Sequence, residues 1–310
     1  MSWLLIQKII SLYIILLLGV LLTRLKVFQQ SFSKTLSIIS VYLLLPCMIL
    51  SSFQIERNST TQRGLLLALL ASVVIHALFL LVTRLLRKPL RLDAVEQTSV
   101  IYSNAGNLIM PLVLSILGKE WVVYCSPFLC VQQLLLWTHA RSVMCGTKAS
   151  DLKSLFGNIN ILAVIAGLIL FLTGLRLPQV CEDAVESMAS CIGPLSMLIT
   201  GILVGSMGIR KLTSYRRMWL TAALRLLVLP LLTLGLLYFS GMARLSPDGA
   251  SVLLVVFMGV ASCSASAITS MSLVFHQDAE YASAINLVTT LLCVGTLPLM
   301  ISLYTRVFQL

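Results

Sequence analysis

Ten apolar runs, each about the length needed to carry a helix across a hydrocarbon core of roughly 30 Å, take up nearly all of this chain. They cover residues 3–22, 35–53, 64–86, 97–117, 121–144, 159–175, 184–207, 218–240, 250–275 and 281–308. Little is left of the 310 residues for a separate soluble domain, so a single polytopic transmembrane domain, all α-helical, is expected over residues 1–310. Composition agrees: 58% of residues are hydrophobic, 11% are charged and the mean hydropathy is +0.99, outside the range of an ordinary soluble domain. The formal charge of +11 comes from Lys and Arg beside the apolar runs, which is a mark of membrane topology and does not call for nucleic acid. Residues 1–22 lack a basic start and a small-residue cleavage site, so they read as a retained first span. The eight Cys show neither CxxC nor Cys/His ligand spacing, and no disulfide framework, metal site or cofactor is expected.

Within the fourth run stands a polar patch, Ser103-Asn104-Ala105-Gly106-Asn107-Leu108-Ile109-Met110-Pro111. In hydrocarbon an unpaired backbone N–H or C=O costs several kcal/mol, so a helix breaks there only where protein or a water-filled cavity supplies partners. Pro111 brings no N–H, Gly106 frees the backbone, and Asn104 and Asn107 bring side-chain donors and acceptors. Two readings stay open: a ligand site, or a proline kink whose Asn side chains hold helices together.

The second half repeats the plan of the first. Gly19-Val20-Leu21-Leu22 aligns with Gly167-Leu168-Ile169-Leu170, and at the same offset Pro46 aligns with Pro194. The fourth and ninth runs, which correspond in a five-plus-five division, are the two with polar interiors; in the ninth it is Ser262-Cys263-Ser264-Ala265-Ser266. Five spans per half is odd, so the second repeat, about 156–310, lies inverted relative to the first, about 1–145. Inverted repeats with paired discontinuous helices are a signature of secondary transporters. Lys and Arg number fourteen in the connections after runs one, three, five and seven and five in the connections on the other side. The positive-inside rule then puts both termini outside the cytoplasm. The acidic connection 276–280 is the exception on the cytoplasmic side.

A set of motifs spread over nearly the whole chain carries a family likeness. They are Tyr42-Leu43-Leu44-Leu45-Pro46, Asn104-Ala105-Gly106-Asn107 with Pro111 and Gly118, Gly193-Pro194-Leu195 with Gly201 and Gly205, Arg225 with Leu229-Pro230-Leu231, and Ala282-Ser283-Ala284 through Leu297-Pro298-Leu299. Together they resemble the auxin efflux carrier family, in its bacterial branch. The resemblance implies a ten-helix fold similar to that of bile-acid sodium symporters, with helices four and nine interrupted and crossing near the midplane at the substrate site. It also implies a permease of the cell membrane for small carboxylates such as malate or malonate. One position departs: where the family commonly has proline at the break in the ninth span, this chain has Ser262 to Ser266, so the ninth helix is either unwound by serines or barely broken.

The physics of broken helices points to an anion as well. The second half-helix of each pair directs free N–H groups at the crossing, and each N-terminus carries about half a positive charge. The expected substrate residues are Asn104, Gly106, Asn107, Pro111, Ser262, Ser264 and Ser266. Arg225 adds a full charge to the site or snorkels to the interface, and His76 serves coupling or helix packing. Expected partners are a small organic anion, a proton or sodium as coupling ion, and the lipid bilayer, with a homodimer left open and no nucleic acid. Three His and no acidic residue in a span core leave no catalytic constellation, so no enzyme is expected. A channel, or a membrane sensor on the same fold, stays open beside the transporter.

Overall fold

The computed structural model describes residues 2–54, 59–146, 159–206 and 215–310. Arg57, Lys148, Lys153, Arg210 and Lys211, five of the loop charges used for orientation, lie outside the described residues. The described chain is helical, with no strand apart from one isolated two-residue bridge. In chain order the helices are α1 (Ser2–Arg24), α2 (Gln30–Ile39), α3 (Leu45–Ser52), α4 (Ser59–Arg87), α5 (Ala94–Ile101), α6 (Met110–Ile116), α7 (Lys119–Val122), α8 (Cys125–Leu135) and α9 (Arg141–Cys145). They continue with α10 (Ile159–Thr173), α11 (Gln179–Ser190), α12 (Ile192–Ser206), α13 (Met218–Ala223), α14 (Leu229–Ser240), α15 (Gly249–Val260), α16 (Ser266–Val274) and α17 (Ala279–Phe308). Among the described residues five helical runs are long and apolar enough to cross a membrane: Gln30–Ser51, Ser59–Arg87, Lys119–Cys145, Met218–Ser240 and Ala279–Phe308.

Proline sets the texture of these helices. Widened π turns at Ser40–Leu44, Ala105–Ile109 and Leu224–Val228 each end two residues before a proline: Pro46, Pro111 and Pro230. A proline cannot donate to the carbonyl four residues back and clashes with that turn, and widening the turn relieves both. A fourth π turn, Leu136–Ala140, joins α8 to α9.

The residues sort into two compact units. The first comprises Met1–Asn58, Gly106–Ser126 and Phe156–Leu212. Its centre is the pairing of α1 with α12, made close by glycine: a Cβ on Gly19 would stand 2.9 Å from Leu198 O, and one on Gly201 would collide with Leu16 O. Small residues at such seams let backbones approach where no hydrophobic force separates helix from lipid. The seventh run is shorter than the sequence suggests. Cys191 ends α11, and α12 begins at Ile192 with Pro194 in its first turn, a position where the missing N–H costs nothing. Helix α11 carries Glu182, Asp183 and Glu186, is largely exposed, and meets Lys119 of α7 through Glu186 at 3.1 Å.

The second unit comprises Ser59–Ala105, Pro127–Leu155 and Thr213–Leu310. It packs α15, buried along most of its length, among α4, α14 and α17. One buried carboxylate ties its ends together. The Glu96 side chain is fully buried and accepts from Asp93 N–H (3.0 Å), Arg217 Nε (2.8 Å), Arg217 Nη2 (2.8 Å) and the Tyr281 hydroxyl (2.8 Å). Asp93 returns the first bond by accepting from Glu96 N–H at 2.7 Å, which completes a capping box at the start of α5. Burial alone would raise the Glu96 pKa, but Arg217, Tyr281 and the Asp93 N–H together hold it below its ordinary value. Asp93 moves the other way, raised chiefly by burial, and Arg217 is raised by its bonds to Glu96.

Candidate functional site

The fourth and ninth runs each break completely, at 102–104 and 261–265, and both breaks fall in the second unit. Helix α5 ends at Ile101, and Tyr102 leaves the helical path in an extended conformation (φ −96°, ψ 130°). Helix α15 ends at Val260, and Ala265 is extended (φ −66°, ψ 129°) before α16 begins at Ser266. The ninth run is therefore broken without a proline.

The two extended stretches pair antiparallel, with Ser103 opposite Ser264. Asn104 N–H donates to Cys263 C=O at 2.9 Å and Ala265 N–H donates to Tyr102 C=O at 3.0 Å. In this register the flanking residues make the bridge bonds, and the N–H and C=O of Ser103 and Ser264 point away from it. Buried backbone groups need partners, and side chains supply all four. Gln132 Oε1 accepts from Ser103 N–H (2.9 Å) and from its hydroxyl (2.8 Å), while Gln132 Nε2 donates to Ser103 C=O at 2.8 Å. On the other strand Thr289 Oγ1 accepts from Ser264 N–H at 3.1 Å and Asn286 Nδ2 donates to Ser264 C=O at 3.2 Å. The break in the ninth run is thus stabilised from the side, which is why it does not require proline.

Arg225 closes the arrangement from the helix ends. It lies in the π turn before Pro230 and is 0% exposed, so it does not snorkel. Its Nε donates to Ser262 C=O (3.0 Å), Nη1 to Val100 (3.2 Å) and Ile101 (3.3 Å), and Nη2 to Gly259 (3.5 Å) and Val260 (2.8 Å). Five N–H groups meet five carbonyls, the last ones of α5 and α15 together with Ser262. Each helix C-terminus carries about half a negative charge, so one guanidinium balances the pair.

The remaining expected residues are distributed as follows. Ser262 and Ser264 are buried, and neither hydroxyl has a hydrogen-bond partner among the described residues. Asn104 and Ser266 are half-buried beside them, Ser266 in the first turn of α16. Gly106 and Asn107 lie in the π turn that follows Asn104, and Pro111 is the second residue of α6; these three fall in the first unit. His76 is buried on α4, with Nδ1 2.7 Å from Ser72 C=O, its ring 4.8 Å from that of Phe128, and Nε2 unpartnered. Sequence reasoning missed Gln132, Asn286 and Thr289 as parts of the crossing. Their signal was available: each is an amide or hydroxyl inside an apolar run, where a polar side chain needs a buried partner.

A family model described as membrane transport protein matches the chain in two stretches, residues 4–154 and 145–301. The chain belongs to this family, that of the auxin efflux carriers. No individual curated protein matches it. Membership makes the chain a multi-pass membrane protein of a transporter family, not an enzymatic one, and a transported small molecule and a lipid surround come with it.

Proposed function

We propose that this auxin efflux carrier family member is a secondary active transporter that moves a small organic anion, a carboxylate, across the cytoplasmic membrane by alternating access. The observation that carries the reading is the use made of Arg225. Its bonds to the carbonyl ends of α5 and α15 cancel the negative ends of the broken helices at the crossing. The N-terminus of α16, whose N-cap residue Ala265 supplies no capping side chain, keeps its positive end, and the Ser264 hydroxyl, without a partner among the described residues, and the half-buried Asn104 stand beside that end. A carboxylate matches this set: it accepts from N–H, O–H and amide donors and neutralises the helix end. In this reading Arg225 acts by balancing charge, not by touching substrate.

The same proposal takes the chain as one domain of ten spans in two inverted five-helix repeats, with both termini outside the cytoplasm. The mirror-related side-chain support of Ser103 by the fifth run and of Ser264 by the tenth favours that pairing of halves. The coupling ion is a proton or sodium. Purified protein in proteoliposomes preloaded with malonate or malate should take up labelled substrate by saturable counterflow. Flux that neither saturates nor shows counterflow would identify a channel, and binding without flux a sensor.

A further inference from the structure

We propose that His139 is a proton-binding site linked through Tyr102 to the crossing; the inference deepens the transporter reading and rests on it. Tyr102 is the residue at which α5 breaks, and its C=O accepts the Ala265 N–H that fastens the two extended stretches. Its side chain is fully buried, and the hydroxyl lies 3.0 Å from Leu135 C=O and 2.9 Å from His139 Nδ1. A tyrosine has one O–H to place between Leu135 C=O and Nδ1, and in the neutral imidazole Nδ1 is donor or acceptor to it according to the tautomer. In the imidazolium both ring nitrogens carry hydrogen, so Nδ1 then donates to the Tyr102 oxygen and the hydroxyl hydrogen goes to Leu135 C=O.

Placement separates His139 from the other two imidazoles. His76 is 1% exposed, its ring lies against those of Phe79 and Phe128, and Arg225 already sits over the Phe79 ring, 6.0 Å from its centroid. A second cation there would be buried beside the first with no carboxylate to meet it. His276 is exposed in the turn after α16, away from the crossing. His139 is half-buried in the π turn Leu136–Ala140, and its own run holds the crossing a second time through Gln132. Helices α5 and α16 pack against α9, and α4 and α15 meet Phe128 of α8. Helix α5 carries Glu96, already filled by Arg217 and Tyr281, and ends at Tyr102; α4 brings His76; α15 and α16 carry no titratable group; from Pro127 onward the run itself carries Cys130, Arg141 and Cys145. Protonation of His139 makes the bond between Nδ1 and the Tyr102 oxygen a charge-assisted one with Nδ1 as donor, roughly twice as strong as a neutral bond. The proton is thereby felt at the residue whose main chain fastens the crossing.

The test is a nitrogen-15 NMR titration of histidine-labelled protein in nanodiscs, with the His139 signal assigned by its loss in His139→Gln. His139 should take up a proton as the pH is lowered, and Tyr102→Phe should displace the midpoint of that change. Counterflow of malonate should vary with pH along the same curve, and His139→Gln should abolish that variation. A His139 that stays in one protonation state throughout the titration, a midpoint that ignores Tyr102→Phe, or a pH profile of counterflow that survives His139→Gln would each overturn the proposal. Absence of malonate and malate counterflow in the wild-type protein would count against the carboxylate reading instead, and the titration would still decide the proton site.

Discussion

Ser103 and Ser264 face each other across an antiparallel bridge whose outward backbone groups are all met by side chains, Gln132 on one strand and Asn286 with Thr289 on the other. A membrane protein can hold non-helical backbone at depth only by such substitution. The crossing is consequently sensitive to single atoms in the supporting helices.

Replacing Gln132 by Leu strands the N–H and C=O of Ser103 in a buried place. Each orphaned group costs about 1–3 kcal/mol, so the melting temperature in detergent should fall by several degrees. Gln132→Glu keeps the acceptor and loses the donor, and should fall between the wild type and Gln132→Leu. Asn286→Leu removes a bond of 3.2 Å to Ser264 C=O and a long one of 3.4 Å from the Thr290 hydroxyl, strands one backbone group instead of two, and should cost less than Gln132→Leu.

Arg225→Leu leaves five carbonyls without their donor and two negative helix ends uncompensated. A loss of about 3–5 kcal/mol is expected, enough to lower the yield of folded protein. Arg225→Lys retains the charge but not the planar fork, and should recover only part of the loss. Size-exclusion profiles and thermal unfolding of the three proteins measure it.

The Glu96 cluster gives stability a pH dependence. Its folded-state pKa lies below the ordinary 4.5, so its contribution is complete above that pH and is lost as pH falls through the folded value. Asp93, raised by burial, works in the opposite sense and softens the acid limb. The difference in melting temperature between the wild type and Glu96→Gln should therefore be constant from pH 8 to 6 and shrink below about pH 4.5. A difference that grows on acidification would contradict the assignment.

Orientation is measured with thiols. Cys181 is exposed at the start of α11 and Cys145 is half-buried at the end of α9. In variants that retain one Cys each, an impermeant maleimide should label Cys145 only from the cytoplasmic side and Cys181 only from outside. The reverse pattern would remove the inverted-repeat topology.

Periodicity and length made the helices legible, since an apolar run of about 20 residues has few alternatives. Ser103, Asn104 and the serines of the ninth run marked where helices stop, whereas Gly106 and Pro111 fall in the π turn and the helix that follow the first break. The seventh run was less legible, because Pro194 starts a helix as readily as it kinks one, and α11 with its three acidic residues joins the run in hydropathy only. Arg225 was visible as a charge at depth, but its role depends on which carbonyls converge on it, and that is a property of tertiary structure. Gln132, Asn286 and Thr289 bond residues 22 to 29 positions away, so no local pattern could pair them with the breaks.

The central claim is that the crossing binds a carboxylate through groups that do not hold the fold. The Ser264 hydroxyl has no partner, and neither has the Asn104 amide among the described residues, so removing either costs the folded protein little. Losing a donor to a charged ligand costs about 1.5–3 kcal/mol, roughly ten- to hundred-fold in affinity. The direct measurement is the malonate- and malate-dependent rise in melting temperature of purified wild type, Asn104→Ala and Ser264→Ala. The account predicts nearly equal ligand-free melting temperatures for all three and a ligand-induced rise that is full in the wild type and reduced in both variants, less by Ser264→Ala than by Asn104→Ala. Variants that melt early without ligand, or that keep the full ligand-induced rise, would show that these side chains hold helices together and that the crossing is not the binding site.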